Sequence, residues 1–491
     1  MGMLGLIVSE IIGGMKMRLD KQIDLMKEDI ISAIQTCIQI KSVKDIEHAS
    51  PGAPFGPGIQ EALEWTLALG EKYGFTVKNV EGYAGHIEMG TGDLLGILGH
   101  LDVVPEGDGW SVPPYSATIK DGKILGRGAL DDKGPSLTTL FAMKAIKDAN
   151  IPLNMRVRLI LGTDEESGWA DLDYYLKKEE VPQIGFAPDA EFPVIHAEKG
   201  ILHLEFSRSQ ETSFPHLVRV QGGERANVVA DVCEITVKGI KLEIISNKLN
   251  DFTFPKGVSA KPGSLETSQE IEQEIGQETK LTFRGIGAHG SLPQNGKNAI
   301  LYALHFLRTL PLNSEEQHLL DFILTHPGTG FYGEGFGIAL SDESSGKLSL
   351  NLGILELTSD KVRFVIDIRY PVTFKRDDVF LPIEKIAQSE KFRLKVLTHQ
   401  EAHHVPKDSA LVQALLKAYA DVTGLEPFAF AIGGGTYAKA LPQGVAFGPV
   451  FPGEPELIHC PDEYISIENL LQTTKVYAQA ILNLAADPEN R

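Results

Sequence analysis

Three apolar runs built on one pattern constrain this chain more than any other feature. They are LLGILGHLD (residues 94–102), MRVRLILGTDEES (155–167) and IGFAPDAEF (184–192). Each reads as a buried strand that ends in polar, mostly acidic residues. Between the first two lie a glycine-bounded segment and a helical pattern, Leu137 to Ala149. Strands separated by helices predict an α/β domain with a mainly parallel sheet flanked by helices, and ligands of such sheets collect at the carboxyl ends of the strands. All three runs put their polar residues at that end. An amphipathic helix, Arg18 to Ile40, precedes them, with Leu19, Ile23, Met26, Ile30 and Ile34 at helical spacing.

From about Gly200 to Thr398 the character changes. Short strand-like stretches (LVRVQGG, EITVKG, KLSLNLG, VRFVIDIRY, FRLKVLT) alternate with helical ones, Asn298 to Leu310 and Asp377 to Ser389. This predicts an inserted α+β domain. The tail returns to the earlier style, with helices at Ser409 to Val422, closed by Gly424, and at Ile467 to Leu484. A chain of 491 residues exceeds one ordinary core. The expected division is therefore 15–199 and 401–491 for the first domain, with 200–400 as the insert.

A formal net charge of −20 argues against nucleic-acid binding, because a polyanion would be repelled. Three widely spaced cysteines, Cys37, Cys233 and Cys460, form neither a disulfide framework nor a zinc-finger spacing, which points to a reducing, cytoplasmic setting. The opening MGMLGLIVSEIIGG is apolar, but it has no basic residue before the apolar run and is too short to span a bilayer. Gly13-Gly14 ahead of Met15 also fits a translated ribosome-binding sequence, with the start at Met15 or Met17. No stretch predicts a membrane segment.

Taken singly, the polar motifs are weak. His100 and Asp102 lie two residues apart on a strand and face one side, where a carboxylate could fix the imidazole tautomer. A structural role is the ordinary reading of such a pair. Asp131-Asp132 in GRGALDDKGP (126–135) could simply be a helix cap. Asp164, Glu165 and Glu166 could be a solvated acidic turn, although adjacent carboxylates repel unless a cation neutralises them. Asp189 follows the third run, and a lone His459 before an acidic pair is usually structural. Together they supply the histidine and carboxylate set that hydrolytic zinc-type sites use.

In their order, GHLDVVP, GRGALDDKGP, TDEESGW, PDAEFPVIHAEKG, GIGAHGSLPQNGKNA and HCPDEYI resemble the metallopeptidase superfamily of aminoacylases, carnosinases and succinyl-diaminopimelate desuccinylases. Within it, TDEESGW, PDAEFP and GGGTYA are most similar to the PepV-type bacterial dipeptidases. The resemblance runs from about Met26 to Leu484. It implies a cytoplasmic hydrolase with two divalent metal ions, zinc or else manganese or cobalt. His100 and Asp189 would hold one ion, His459 and Glu166 the other, and Asp131 both, with a cis peptide between Asp131 and Asp132. Asp102 would orient His100, and Glu165 would be the general base. In the insert, then a lid, His289 would reach the developing oxyanion, and Asn227 and Arg369 would hold substrate. Gly434, Gly435 and Thr436 of GGGTYA would offer backbone N–H groups to the substrate carboxylate, against the plainer reading of a glycine turn.

The implied substrates are unblocked dipeptides, including β-Ala-Xaa. N-acyl amino acids form the alternative class, and a relative using metal only for structure or binding is a third reading. In dimeric relatives a lid about half this length lends its histidine to the neighbouring subunit. An insert this long implies a doubled lid and a functional monomer, closing about hinges near Gly200 and Thr398.

Overall fold

The computed structural model describes residues 17–209, 214–262, 278–358, 360–455 and 457–486. The expectation about the opening fourteen residues lies outside this range. The chain divides into two compact units: residues 1–196, 405–430 and 435–491 form the first, and residues 197–404 and 431–434 the second.

In the first unit six of the sheet's nine described strands lie in the order Thr76–Val80, Ala84–Met89, Met155–Gly162, Asp93–His100, Ile184–Ala187, Gln443–Ala446. The two edge pairings are antiparallel. The four central strands pair in parallel, so the mainly parallel sheet is present. The apolar runs are nearly continuous because both faces are covered. Leu95, Ile97, Leu159 and Phe186 enter the larger core, beneath the helices Lys27–Gln39, Pro57–Lys72, Lys133–Asp148, Ala410–Thr423 and Ile467–Ala485. Leu98, Ile160 and Ala187 point the other way, under the helix Ala170–Lys178 and the turn at Tyr437–Ala440. Two-residue alternation thus sends successive side chains into different cores.

Local chemistry sets the ends of these helices. Ser409 and Ser466 accept from the N–H of Val412 and Asn469, and Gly424 closes the first of the two helices at φ 70°. The helix expected from Leu137 starts four residues earlier, at Lys133. The N-terminal helix expected as one piece is two, 17–25 and Lys27–Gln39, meeting at Met26. Its stripe of Leu19, Ile23, Met26, Ile30 and Ile34 stays buried across the break.

The second unit is an eight-stranded antiparallel sheet, ordered Ser259–Pro262, Glu278–Arg284, Val232–Lys238, Leu217–Gly222, Ser349–Thr358, Lys361–Tyr370, Gly200–Ser209, Arg393–Gln400. Its core also takes in the helices Leu242–Asp251, Ala299–Leu307, Ser314–Thr325 and Arg376–Ser389. Two of these, Leu242–Asp251 and Ser314–Thr325, were not expected. No helix among the described residues is long and apolar enough to cross a membrane.

Candidate metal centre

The parallel strands deliver their polar ends to one place. His100 is the last residue of its strand, Thr163 to Glu166 follow Met155–Gly162, and Asp189 follows Ile184–Ala187. The imidazole of His100 is fully buried. Its Nδ1 lies 2.9 Å from the carbonyl oxygen of Asp102. A carbonyl only accepts, so Nδ1 carries a proton and Nε2 is the nitrogen left to face a cation. Nε2 has no hydrogen-bond partner, yet it stands 3.0 Å from Asp131 Oδ1 and 3.5 Å from Asp189 Oδ2. On the other side His459 Nε2 lies 3.0 Å from Asp131 Oδ2 and 3.0 Å from Glu166 Oε2.

Two groups result, His100–Asp131–Asp189 and Asp131–Glu166–His459, and within each the ligand atoms lie within 4.8 Å of one another. Asp131 belongs to both, offering one oxygen to each. The peptide between Asp131 and Asp132 is cis. Glu165 belongs to neither group.

The sequence suggested that the Asp102 carboxylate orients His100. In the structure the Asp102 carbonyl makes the closest contact, and the carboxylate lies 3.4 Å from Nδ1. That carboxylate instead accepts the backbone N–H groups of Glu165 and Glu166, each at 3.1 Å. Asp102 therefore joins the His100 strand end to the acidic loop. Asp132 is no ordinary cap, since its Oδ2 accepts from His100 N at 3.0 Å and from Ser136 Oγ at 2.9 Å.

The electrostatics are those of a cation site. Burial, reinforced by the neighbouring carboxylates Asp189, Glu166 and Asp131, pushes Glu165 well above the carboxylate range. Burial and Asp131 push Glu166 up to about 7. Burial opposes protonation of His459, but Asp131 and Glu166 raise it to about 11. Burial also opposes protonation of His100, yet Asp102, Asp131 and Asp189 raise it strongly. Imidazolium protons thus stand where positive charge is needed. Divalent ions supply the same charge, and the orphaned Nε2 of His100 with its carboxylate neighbours is the donor set they take.

Sequence reasoning missed several partners. Glu463, read only as part of an acidic pair, accepts from Arg127, Leu130 and Asp131. Asp171 accepts from the N–H of Thr163 and Asp164 and from the Tyr437 hydroxyl, tying the acidic loop to GGGTYA. Lys44 pairs with Asp164 at 2.5 Å. No local signal marks Glu463 or Lys44, whose partners lie more than a hundred residues away, whereas Asp171 reaches back only eight and seven residues to Thr163 and Asp164.

The second unit gathers its own polar set. Gly290 N donates to Asn227 O at 2.7 Å, and His289 bridges to Val228, so Asn227 and His289 sit on adjoining turns. Ser291 Oγ lies 2.6 Å from His289 Nδ1. Arg369 grips the fully buried Asp367 with two N–H groups, at 2.7 and 3.0 Å, and donates a third to Gly433 O at 2.8 Å. Asp367, unremarked in the sequence, also faces His203 Nε2 at 3.2 Å. Gly434 follows in the same unit, whereas Gly435 and Thr436 belong to the first, where the Thr436 hydroxyl accepts from Ala438 N.

Residues 96–483 match the model of peptidase family M20/M25/M40. "Putative dipeptidase YtjP" of Bacillus subtilis (strain 168) is 42% identical over 468 residues, covering 94% of this chain and 98% of its own length. Among solved structures, the di-peptidase Dug1p from Saccharomyces cerevisiae superposes with a TM-score of 0.57 at 16% identity, covering 95% of this chain and 98% of that one. Human carnosine dipeptidase 1 gives a TM-score of 0.55 at 15% identity, covering 95% and 99%. At those identities the superpositions speak for the fold alone. The family match spans most of the chain and includes all five residues of the two ligand groups, so this protein belongs to peptidase family M20/M25/M40 and is a hydrolase of the metallopeptidase kind.

Proposed function

We propose that the chain is a dipeptidase that works with two divalent metal ions and hydrolyses unblocked dipeptides, β-Ala-Xaa included. The observation that carries this reading is the pair of ligand groups sharing Asp131. The dipeptidase name of the 42% identical relative supports the substrate class. Zinc is the ion proposed, with manganese or cobalt as substitutes that a carboxylate-rich set accepts. His100, Asp131, Asp189, Glu166 and His459 would hold the ions, which would supply Lewis-acid polarisation and a more acidic water.

The chain's own residues do the rest. Glu165 is adjacent to a ligand but not one itself. In this reading its carboxylate takes the proton from the water and hands it to the leaving amine. Asp102 fixes the Glu165 backbone through its N–H and so aims the base. His289 is assigned to the developing oxyanion, where such a donor is worth about 2.7–4 kcal/mol. Asn227, Arg369 and the N–H groups of Gly434, Gly435 and Thr436 are assigned to the substrate. The length of the second unit and the eight-stranded sheet of its described residues support a doubled lid and hence a functional monomer. The test is Glu165→Ala: two metals retained, with kcat lowered by roughly 10²–10⁴-fold. Near-normal turnover in the metal-loaded variant would refute the role of the base.

A further inference from the structure

The loop that carries His459 is a poor platform for a ligand. Within residues 459–464 only Glu463 is buried, and the His459 side chain is 50% exposed. The backbone takes φ 62° at His459 and 57° at Asp462, in the left-handed region that non-glycine residues occupy only where their surroundings over-determine it. Yet His459 Nε2 must meet Asp131 Oδ2, which sits on a different loop, at 3.0 Å.

Glu463 supplies the over-determination. Its side chain is fully buried and belongs to neither ligand group. Oε1 accepts the backbone N–H groups of Leu130 at 2.8 Å and Asp131 at 3.2 Å, and Oε2 accepts from Arg127 Nη1 at 2.7 Å. The Glu463 carbonyl accepts from Gly126 N at 2.9 Å. The neighbouring Asp462 accepts from Ser111 N at 2.7 Å, tying in the segment that follows the His100 strand.

We propose that Glu463 is a positioning residue that sets the spacing between Asp131 and His459 and thereby the affinity for the ion the two would share. This rests on the reading of the two groups as metal ligands. The chemistry of the clamp is specific to a carboxylate. All three side-chain bonds run from N–H donors to Glu463, so it needs two acceptor oxygens. An amide in its place turns an NH₂ against either the Leu130 and Asp131 N–H groups or the Arg127 guanidinium. A carboxylate one methylene shorter keeps the charge but cannot span both partners.

The experiment titrates chelator-stripped protein with Co²⁺ and follows the visible d–d absorption, with the thermal midpoint of the metal-free protein as control. Wild type is expected to take up two equivalents. Glu463→Gln should bind the weaker equivalent about 10–100-fold less tightly, as loss of a group that orients a ligand does, and with an altered d–d spectrum. Glu463→Asp should show a smaller change of the same kind and serves if Glu463→Gln does not fold. A purely structural role would lower the metal-free midpoint while leaving affinity and spectrum of the folded protein as in wild type, and that result would overturn the proposal. Failure of wild type itself to bind cobalt would instead overturn the metal-centre reading, and the proposal with it.

Discussion

Replacing Asp131 with alanine should abolish the stabilisation that metal gives this protein, whereas replacing His459 should halve it. Asp131 Oδ1 and Oδ2 each lie 3.0 Å from a histidine Nε2, and Asp131 belongs to both ligand groups. An ion present at a hundred times its dissociation constant stabilises the folded state by about 2.7 kcal/mol, so two independent ions contribute about 5.4 kcal/mol. His459→Ala leaves the His100–Asp131–Asp189 group whole and should keep about 2.7 kcal/mol. Asp131→Ala leaves two donors in each group, His100 with Asp189 and Glu166 with His459, and the increment should fall near zero at the same zinc concentration. Urea unfolding of each chelator-treated variant, with and without zinc, reads the increment directly. Comparing each variant with itself removes any change that the lost carboxylate makes to the metal-free protein. An Asp131→Ala protein that kept the wild-type increment would show that Asp131 bridges nothing.

Mixing inactive Glu165→Ala with inactive His289→Ala protein should restore no activity if His289 serves the site of its own chain; recovered turnover would establish exchange between subunits. Tripeptides should be poorer substrates than the corresponding dipeptides, measured as kcat/KM, if both substrate ends are held. Away from the site, burial, with the charge of Arg158, pushes buried His86 down to about 4. His86 is then neutral when folded and gains a proton on unfolding below pH 6.5. Stability should therefore fall by on the order of 3 kcal/mol as pH drops from 6.5 to 4. His86→Gln, followed by urea unfolding across that range, should flatten this part of the profile.

What could be read in the sequence follows from how local each cause is. The parallel strands were legible because a strand covered on both faces is nearly continuous in apolar residues, and His100, Glu166 and Asp189 could be found at the strand ends by the same logic. Helix ends at Ser409, Ser466 and Gly424 announce themselves through capping chemistry within three residues. The helix Ser314–Thr325 also carries a local signal, the capping box that Asn313 forms with Glu316. Glu463 was not legible. Its partners lie more than three hundred residues earlier, and an acidic residue after a histidine has no periodicity to betray it. Asp367 is only half hidden: Arg369 stands two residues on along the same strand, whereas His203 meets it only once the two strands pair. Asp102 shows the intermediate case: its proximity to His100 was readable, but the hold of its carboxylate on the Glu165 and Glu166 backbone depends on the neighbouring strand.

Metal-dependent cleavage of dipeptides with a free amino terminus can be decided by one comparison. Purified protein, stripped of metal and then reloaded with two equivalents of zinc, is assayed for kcat/KM on Ala-Ala and on N-acetyl-Ala-Ala. No turnover is expected before reloading, and afterwards efficient hydrolysis of Ala-Ala with little of its acetylated form. Equal kcat/KM for the two would contradict it and assign the protein to the acylases, and full activity without metal would contradict the two-ion centre itself.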